Sequence, residues 1–173
     1  MRVVIQKVKR ASVTVDSNIV GKINRGLCVL VGITHDDTEK DIDYMVKKIL
    51  NTRVFEDSEG KHWTKSVKDL DLEVLSVSQF TLYVNCQKGN KPDFHAAMKS
   101  DNSRDFYEKF LNKLKQEYKP EKIQDGQFGA MMDVEIINDG PVTFPLDSRK
   151  FVYSDSVAST KNNTRSNTPQ TPL

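Results

Sequence analysis

Hydrophobic residues recur with a helical period in two segments of the chain. In the first, apolar residues at i, i+3, i+4, i+7 and i+8 form one stripe, made of Ile42, Met45, Val46, Ile49 and Leu50. Thr38 and the acidic residues before it are suitable for capping the start of such a helix. In the second segment, 103–118, one side carries Phe106, Phe110, Leu111 and Leu114. The pattern therefore predicts two main helices.

Shorter runs, either alternating or continuously apolar, predict strands in much of the remaining chain. Three strands are expected at 2–7, 11–15 and 19–23, separated by turns at a Lys-Arg pair and at an Asp-Ser-Asn triplet. The run at 26–34 is apolar throughout, which is typical of a strand buried on both faces. The clearest alternation lies at 73–84, so this segment is predicted to be one strand.

Two further β-type segments flank a stretch that interrupts them. Residues 133–137 alternate apolar and charged side chains, and 142–144 resume the β-type composition, with Asn-Asp-Gly-Pro between them. A hairpin turn is the ordinary explanation for such a sequence. The alternative is functional, because proline makes a cis peptide accessible. Gly140-Pro141 can then hold two carbonyl groups in a fixed direction.

Length and composition predict one folded domain followed by a tail. A further strand is expected at 53–63, running into a turn at 57–60. The predicted strands then outnumber the two predicted helices. We therefore expect a layered α/β domain over residues 1–153. From Ser154 onward the chain is rich in Ser, Thr, Asn and Pro and lacks aromatic residues. Such a segment buries too little apolar surface to offset its ordering entropy. Residues 154–173 are therefore predicted to be disordered and dispensable for catalysis.

Charge and hydropathy narrow the class of protein. The net charge is only +2, from 26 basic and 24 acidic residues, which is not a strong electrostatic footprint for nucleic acid. The longest apolar run, 27–33, is too short to cross a bilayer, and the first residues lack the apolar centre of a signal peptide. We therefore expect a cytoplasmic protein without membrane association.

The residues that most often bind metals are scattered along the chain. The three histidines, at 35, 62 and 95, lack ligand spacing, and neither Cys28 nor Cys86 has a CxxC partner. Cys28 lies within an apolar strand, where a thiol behaves as a small hydrophobic side chain. The sequence therefore predicts no metal site, no disulfide and no cofactor.

Three polar stretches contain candidates for chemistry. Ser78 to Leu82, SQFTL, presents backbone N–H groups and a hydroxyl at the end of the best strand, which are the components of an acyl-transfer site. The loop 88–94, KGNKPDF, combines two lysines with an aromatic residue and can contact phosphate. The segment 125–132 places Phe128 between glycines, where its ring can stack on a base. Taken singly, each has an ordinary explanation: a strand edge, a surface loop and a core phenylalanine.

Together and in this order, these stretches resemble one family. The opening MRVVIQKVKRASVTV, the strand VSQFTL, the loop KGNKPDF and the segment FGAMMDVEIINDGPVT are similar to the D-aminoacyl-tRNA deacylase family over about residues 1–147. SQFTL and NDGPVT resemble its two signature motifs, and the KGNKPDF loop with the polar tail is similar to its eukaryotic branch.

The resemblance implies a fold and an activity. The expected fold has mixed, mostly antiparallel, barrel-like β-sheets with two main helices. The expected enzyme is a homodimer that hydrolyses the ester between a D-amino acid and the 3′ end of tRNA, and that also clears glycine mischarged on tRNA. A cis Gly140-Pro141 peptide is expected to reach into the partner's pocket, where it excludes L side chains.

The resemblance also implies roles for individual residues. The catalytic pocket is expected to contain Ser78, Gln79, Phe80 and Thr81, with the Phe80 N–H stabilising the oxyanion. Chiral selectivity across the subunits is expected from Lys7, Asn138, Gly140 and Pro141. The tRNA end is expected to contact Lys88, Lys91, Pro92, Phe94, Phe128 and Met132. The family often has arginine at position 7, and lysine keeps the charge but not the bidentate fork.

The identity of the nucleophile remains open, and two alternative functions are also consistent with the sequence. Thr81 is one candidate, but no base stands near it in the sequence, so we favour water positioned by the terminal ribose 2′-hydroxyl. One alternative function is a nucleic-acid-binding or scaffold protein on the same fold. The other is a threonine-nucleophile esterase with a small-molecule substrate.

Overall fold

One long N-terminal strand, β1, pairs with three other strands. The computed structural model describes residues 1–87 and 89–149, so the predicted tail lies outside the described residues. On one side of β1 (Arg2–Val15), residues 2–8 pair with β3 (Gly26–Gly32) and residues 11–15 pair with β2 (Asn18–Ile23). On the other side, β6 (Asp133–Asp147) runs along nearly its whole length. All three pairings are antiparallel.

The sheet is mixed and curls into a nearly closed barrel. Its order is β2-β1-β3-β4-β5, where β4 (Glu73–Ser78) and β5 (Ile123–Asp125) are parallel to their neighbours, and β6 pairs with β1 off this path. Strand β2 lies close to β5. The distance between them is so short that a methyl group added on Gly21 would lie 2.3 Å from the Asp125 carbonyl oxygen. The barrel-like, mostly antiparallel fold with two helices is confirmed.

Both helices form where the apolar stripes predict them. Helix α1 (Glu39–Asn51) buries the five stripe residues, and the Asp41 carboxylate accepts the Thr38 N–H at 2.8 Å to cap its first turn. Helix α2 (Ser100–Glu117) begins three residues earlier than expected, and it buries Tyr107 while Phe106 is only half-buried. Among the described residues, no helix is long and apolar enough to cross a membrane.

The core has two parts on opposite faces of β3 and β4. Leu27 and Val29 pack with both helices, whereas Cys28 packs on the other face with the curled half of β1. On β4, Val74 faces the helices and Leu75 faces the interior of the curl. This arrangement explains why the run at 26–34 is apolar at every position, as the sequence predicts for a strand buried on both faces.

Three strand predictions within residues 2–84 were wrong. Residues 2–7 and 11–15 form one strand, because bulges between Gln6 and Arg10 absorb the charged pair without a turn. The segment 53–63 forms only a bridge between Phe55 and Lys65, although the turn at 57–60 is present. The strand at 73–84 ends at Ser78 and continues as a 3-10 helix, Phe80–Tyr83.

Candidate active site

The first signature motif, SQFTL, contains the end of strand β4 and the start of a 3-10 helix. At the carboxyl end of β4, the Gln79 N–H still donates to the Val31 carbonyl at 2.7 Å, and then the chain turns into the 3-10 helix. Phe80 is the first residue of this helix, so its N–H has no acceptor within it. Phe80 is 57% exposed. A backbone donor and an aromatic ring are therefore presented together at the edge of the sheet.

Thr81 has a hydrogen-bond partner that cannot activate it. Its hydroxyl oxygen accepts a bond from the Gln79 side-chain amide at 2.5 Å. An amide is not a base at neutral pH, and no histidine or carboxylate within residues 1–87 and 89–149 bonds this hydroxyl. The geometry therefore orders the Thr81 side chain through an amide group, which is not a general base.

The KGNKPDF loop packs against this helix through its last residue. The rings of Phe94 and Phe80 meet edge to face with centroids 5.1 Å apart. Asn85 and Asp93 exchange backbone hydrogen bonds of 2.7 and 2.9 Å, which close the base of the loop. Lys91 and Pro92 are exposed near its tip, and Lys88 lies outside the described residues.

Phe128 lies in the loop that follows β5, at the same edge of the sheet as the first motif. Its half-buried ring packs 5.8 Å from Tyr107, whose hydroxyl is 2.8 Å from Ser76 in the core. The guanidinium of Arg104 lies over the ring at 5.1 Å from its centroid. Met132 is half-buried beside Gly126 in the same loop. Sequence reasoning missed Arg104, because only the packing of α2 on this loop brings the two together.

The second signature motif is a wide bulge within one strand. β6 is continuous, so the prediction of two strands was wrong. Asn138 pairs with Val8 and Thr143 pairs with Gln6, so residues 139–142 all stand opposite one residue of β1. This segment is named the Gly-Pro bulge. Its Gly140-Pro141 peptide is cis, as the resemblance implies, and both residues are exposed.

The residue opposite the bulge is Lys7, and it is buried. Its ammonium is 2.9 Å from Glu56 Oε2 and 3.3 Å from Asp139 Oδ2, with only 7% of the side chain exposed. Arg25 forms a second ion pair with Glu56. These four residues are named the Lys7 cluster. Sequence reasoning found Lys7 but missed the other three, because their contacts join distant parts of the chain. Asn138 makes only a long contact with the Lys7 carbonyl, at 3.5 Å.

The Lys7 cluster makes stability depend on pH in a defined direction. The hydrogen bond from Lys7 is the main cause that lowers the pKa of Glu56 from 4.5 to about 2. A lowered carboxyl pKa stabilises the fold above the unfolded value, and this contribution is lost as the pH falls from 4.5 to about 2. We expect the free energy of unfolding to fall more steeply over this range in the wild type than in Glu56→Gln. Denaturant titrations at several pH values measure it, and parallel curves would contradict it.

Gly140 has little packing around it in its own chain. The three atoms nearest to a methyl group added on Gly140 all belong to Val142, at 3.1 to 3.9 Å, and none belongs to residues 78–81. In addition, the described residues contain no group of three His, Cys, Asp or Glu side chains that could hold a metal ion. The site thus consists of backbone donors, an unactivated hydroxyl, exposed aromatic rings and a projecting backbone segment. These features suit a hydrolase that positions an already labile ester.

Comparisons with known proteins identify the family. The family described as D-Tyr-tRNA(Tyr) deacylase matches residues 4–147. D-aminoacyl-tRNA deacylase 1 of Danio rerio is 59% identical over 86% of this chain and 71% of its own length, and D-aminoacyl-tRNA deacylase of Drosophila melanogaster is 60% identical over 86% and 92%. The chain therefore belongs to the D-aminoacyl-tRNA deacylase family and is a hydrolase.

Two solved structures share the fold. One is described as c-Myc DNA Unwinding Element Binding Protein, with a TM-score of 0.82 and 56% identity over 85% of this chain and 98% of that one. The other is described as a probable eukaryotic D-amino acid tRNA deacylase, with a TM-score of 0.73 and 18% identity over 84% and 97%. At that identity the second likeness concerns the fold alone.

Proposed function

We propose that this protein is a homodimer that hydrolyses the ester of D-aminoacyl-tRNA in the cytoplasm and releases the free D-amino acid and tRNA. Glycine mischarged on tRNA is a second substrate. The observation that carries the proposal is the exposed Gly-Pro bulge, where the three atoms nearest to a methyl group added on Gly140 all belong to Val142 and none to the SQFTL motif. A second copy of the chain provides the pocket that the bulge completes.

Selectivity in this proposal arises from exclusion of L substrates. D- and L-aminoacyl groups carry the same substituents, so attraction alone discriminates poorly between them. When the Gly140 and Pro141 carbonyls hold the α-amino group, the side chain and the α-hydrogen exchange places between enantiomers. An L side chain then collides with the pocket wall, whereas a D side chain points outward and glycine has none to collide.

Hydrolysis in this proposal uses backbone rather than an activated side chain. The Phe80 N–H stabilises the developing oxyanion, because this donor is not used within its own helix. Water is the nucleophile, positioned by the ribose 2′-hydroxyl of the terminal adenosine. Phe128, Met132 and Phe94 contact that nucleoside, and the lysines of the KGNKPDF loop contact phosphate.

Replacing Thr81 with alanine tests the nucleophile. We expect Thr81→Ala to keep its activity within about tenfold of the wild type, because the hydroxyl accepts only an amide hydrogen bond and has no base. Single-turnover deacylation of D-tyrosyl-tRNA measures the rate. Complete loss of turnover with unchanged tRNA binding, or an acyl-enzyme trapped at Thr81, would identify this hydroxyl as the nucleophile.

The decisive test of the function compares matched substrates. Pure protein is incubated with D-tyrosyl-tRNA, L-tyrosyl-tRNA and glycyl-tRNA, and release of the amino acid is followed over time. We expect hydrolysis of the D and glycine substrates and little hydrolysis of the L substrate. Equal rates on D and L, or no hydrolysis of any, would contradict the proposal.

A second candidate is a DNA-binding role, because the related solved structure with 56% identity is described as a DNA unwinding element binding protein. That role does not require the ordered Gln79–Thr81 pair or the Gly-Pro bulge. Tight binding of duplex DNA by a protein inactive on D-aminoacyl-tRNA would favour it.

A further inference from the structure

The Gly-Pro bulge is attached to its own subunit at three points. The strand pairings at Asn138–Val8 and Thr143–Gln6 hold its two ends. Between these ends, one side chain reaches back to the sheet, where the Asp139 carboxylate lies 3.3 Å from the Lys7 ammonium. Asp139 directly precedes Gly140, whose φ of +127° lies in a region that glycine adopts readily. This ion pair is therefore a third attachment of the segment that carries Gly140 and Pro141.

Lys7 can hold Asp139 firmly because its own position is determined by other groups. Its ammonium is buried and would be unstable there without compensating charge. Glu56 supplies that charge at 2.9 Å, and Glu56 is itself paired with Arg25. The Phe55 ring lies beneath both cations, at 5.4 Å from each. Two cations and two carboxylates thus form a neutral Lys7 cluster at the base of the bulge.

We propose that Asp139 is a positioning residue for chiral selection, and that Glu56 acts with it through Lys7. The inference rests on the proposed function of the bulge and adds the groups that orient it. The cluster sets the angle at which Gly140 and Pro141 leave the sheet, and hence where their carbonyls lie in the partner's pocket. Weakening the cluster lets the bulge change direction, so the pocket discriminates less between D and L substrates while the tRNA still binds.

The isosteric variant Asp139→Asn tests this inference. We expect the ratio of D- to L-tyrosyl-tRNA hydrolysis to fall about tenfold, with kcat on the D substrate lowered and KM unchanged, because a neutral amide cannot form the ion pair with Lys7. Glu135→Gln is the matched control. Glu135 lies on the same strand and pairs with Arg10 at the surface, 3.3 Å away, so its removal should leave the ratio unchanged.

Coupling within the cluster distinguishes positioning from a general loss of stability. Glu56→Gln should lower the same ratio, and the double variant Glu56→Gln/Asp139→Asn should be no worse than the more damaging single variant, since both act through Lys7. The melting temperature of each variant is measured alongside the ratio. If Asp139→Asn does not fold, the Glu56→Gln ratio decides the question alone.

Three outcomes would overturn the inference: an unchanged ratio in Asp139→Asn, an equal fall in Glu135→Gln, or independent and multiplying effects of the two cluster variants. These outcomes are distinct from failure of the proposed function. If the wild type does not discriminate between D and L substrates, the proposed function fails. If the wild type discriminates and Gly140→Ala does not, but Asp139→Asn keeps full discrimination, only the role of the cluster is wrong.

Discussion

Replacing Gly140 with alanine should lower the rate of D-aminoacyl-tRNA hydrolysis by about 100-fold or more, because misplacement of a positioning group by about 1 Å has an effect of this size. Gly140 has a φ of +127°, which an L residue rarely adopts. The added methyl group would also lie 3.1 Å from Val142 Cγ2 and 3.2 Å from the Val142 nitrogen. The backbone must therefore rotate, and the carbonyl groups move with it.

Gly60→Ala is the control for backbone strain. Gly60 also has a positive φ, +80°, but nothing lies within 4 Å of the position of an added methyl group, and it belongs to the turn at 57–60. Both variants should lose some stability to the unfavourable φ, and only Gly140→Ala should lose activity. Thermal unfolding and single-turnover deacylation separate the two effects. Full activity in a folded Gly140→Ala protein would show that the bulge does not act on substrate.

The second large effect concerns the Phe80 N–H. We expect Phe80→Pro to be slower than Phe80→Ala by about 10²–10³-fold, which is the usual effect of removing one oxyanion donor. Both variants lose the ring and its contact with Phe94, but only proline removes the N–H. The substitution is compatible with the fold, because proline is favoured at the first position of a helix, where Phe80 lies.

Comparing these two variants isolates the donor. Phe80→Ala measures the contribution of the aromatic ring to nucleoside contact, which should raise KM more than it lowers kcat. Phe80→Pro should lower kcat at an unchanged affinity relative to Phe80→Ala. Circular dichroism checks that the fold is kept. Equal kcat values for the alanine and proline variants would assign the oxyanion to a different donor.

The local pattern of apolar residues predicts helices and strands well where burial of apolar side chains dominates. The stripe of α1 and the apolar run of β3 were both recognised, because burial on a helix face or on both faces of a strand leaves a regular signature. Strand β1 was divided wrongly at Lys9 and Arg10. Two adjacent charged residues are common in turns. Here, however, both side chains are exposed on the strand, and Arg10 pairs with Glu135 of the neighbouring strand. Strand pairing outweighs the local turn signal.

In the candidate site, too, short continuous motifs could be recognised in the sequence, whereas contacts between distant residues could not. The two signature motifs could be found in the sequence because each is a short continuous stretch. The end of β4 at Ser78 could not be found in this way, since the residues that follow it have the composition of a strand although Phe80–Tyr83 form a 3-10 helix. The contact between Asp139 and Lys7 is also invisible in the sequence, because it depends on the register of β6 on β1. That register is a property of the folded sheet.

The pairing of β1 with β6 also determines when the site can form during synthesis. Arg2 pairs with Asp147, so β1 is synthesised long before the strand with which it pairs. Contacts between residues so distant in sequence form slowly, because closing the long intervening loop is entropically unfavourable. A nascent chain lacking 133–147 has the SQFTL motif but neither the Gly-Pro bulge nor Asp139. Of the two motifs, the Gly-Pro bulge is therefore the later one to assemble.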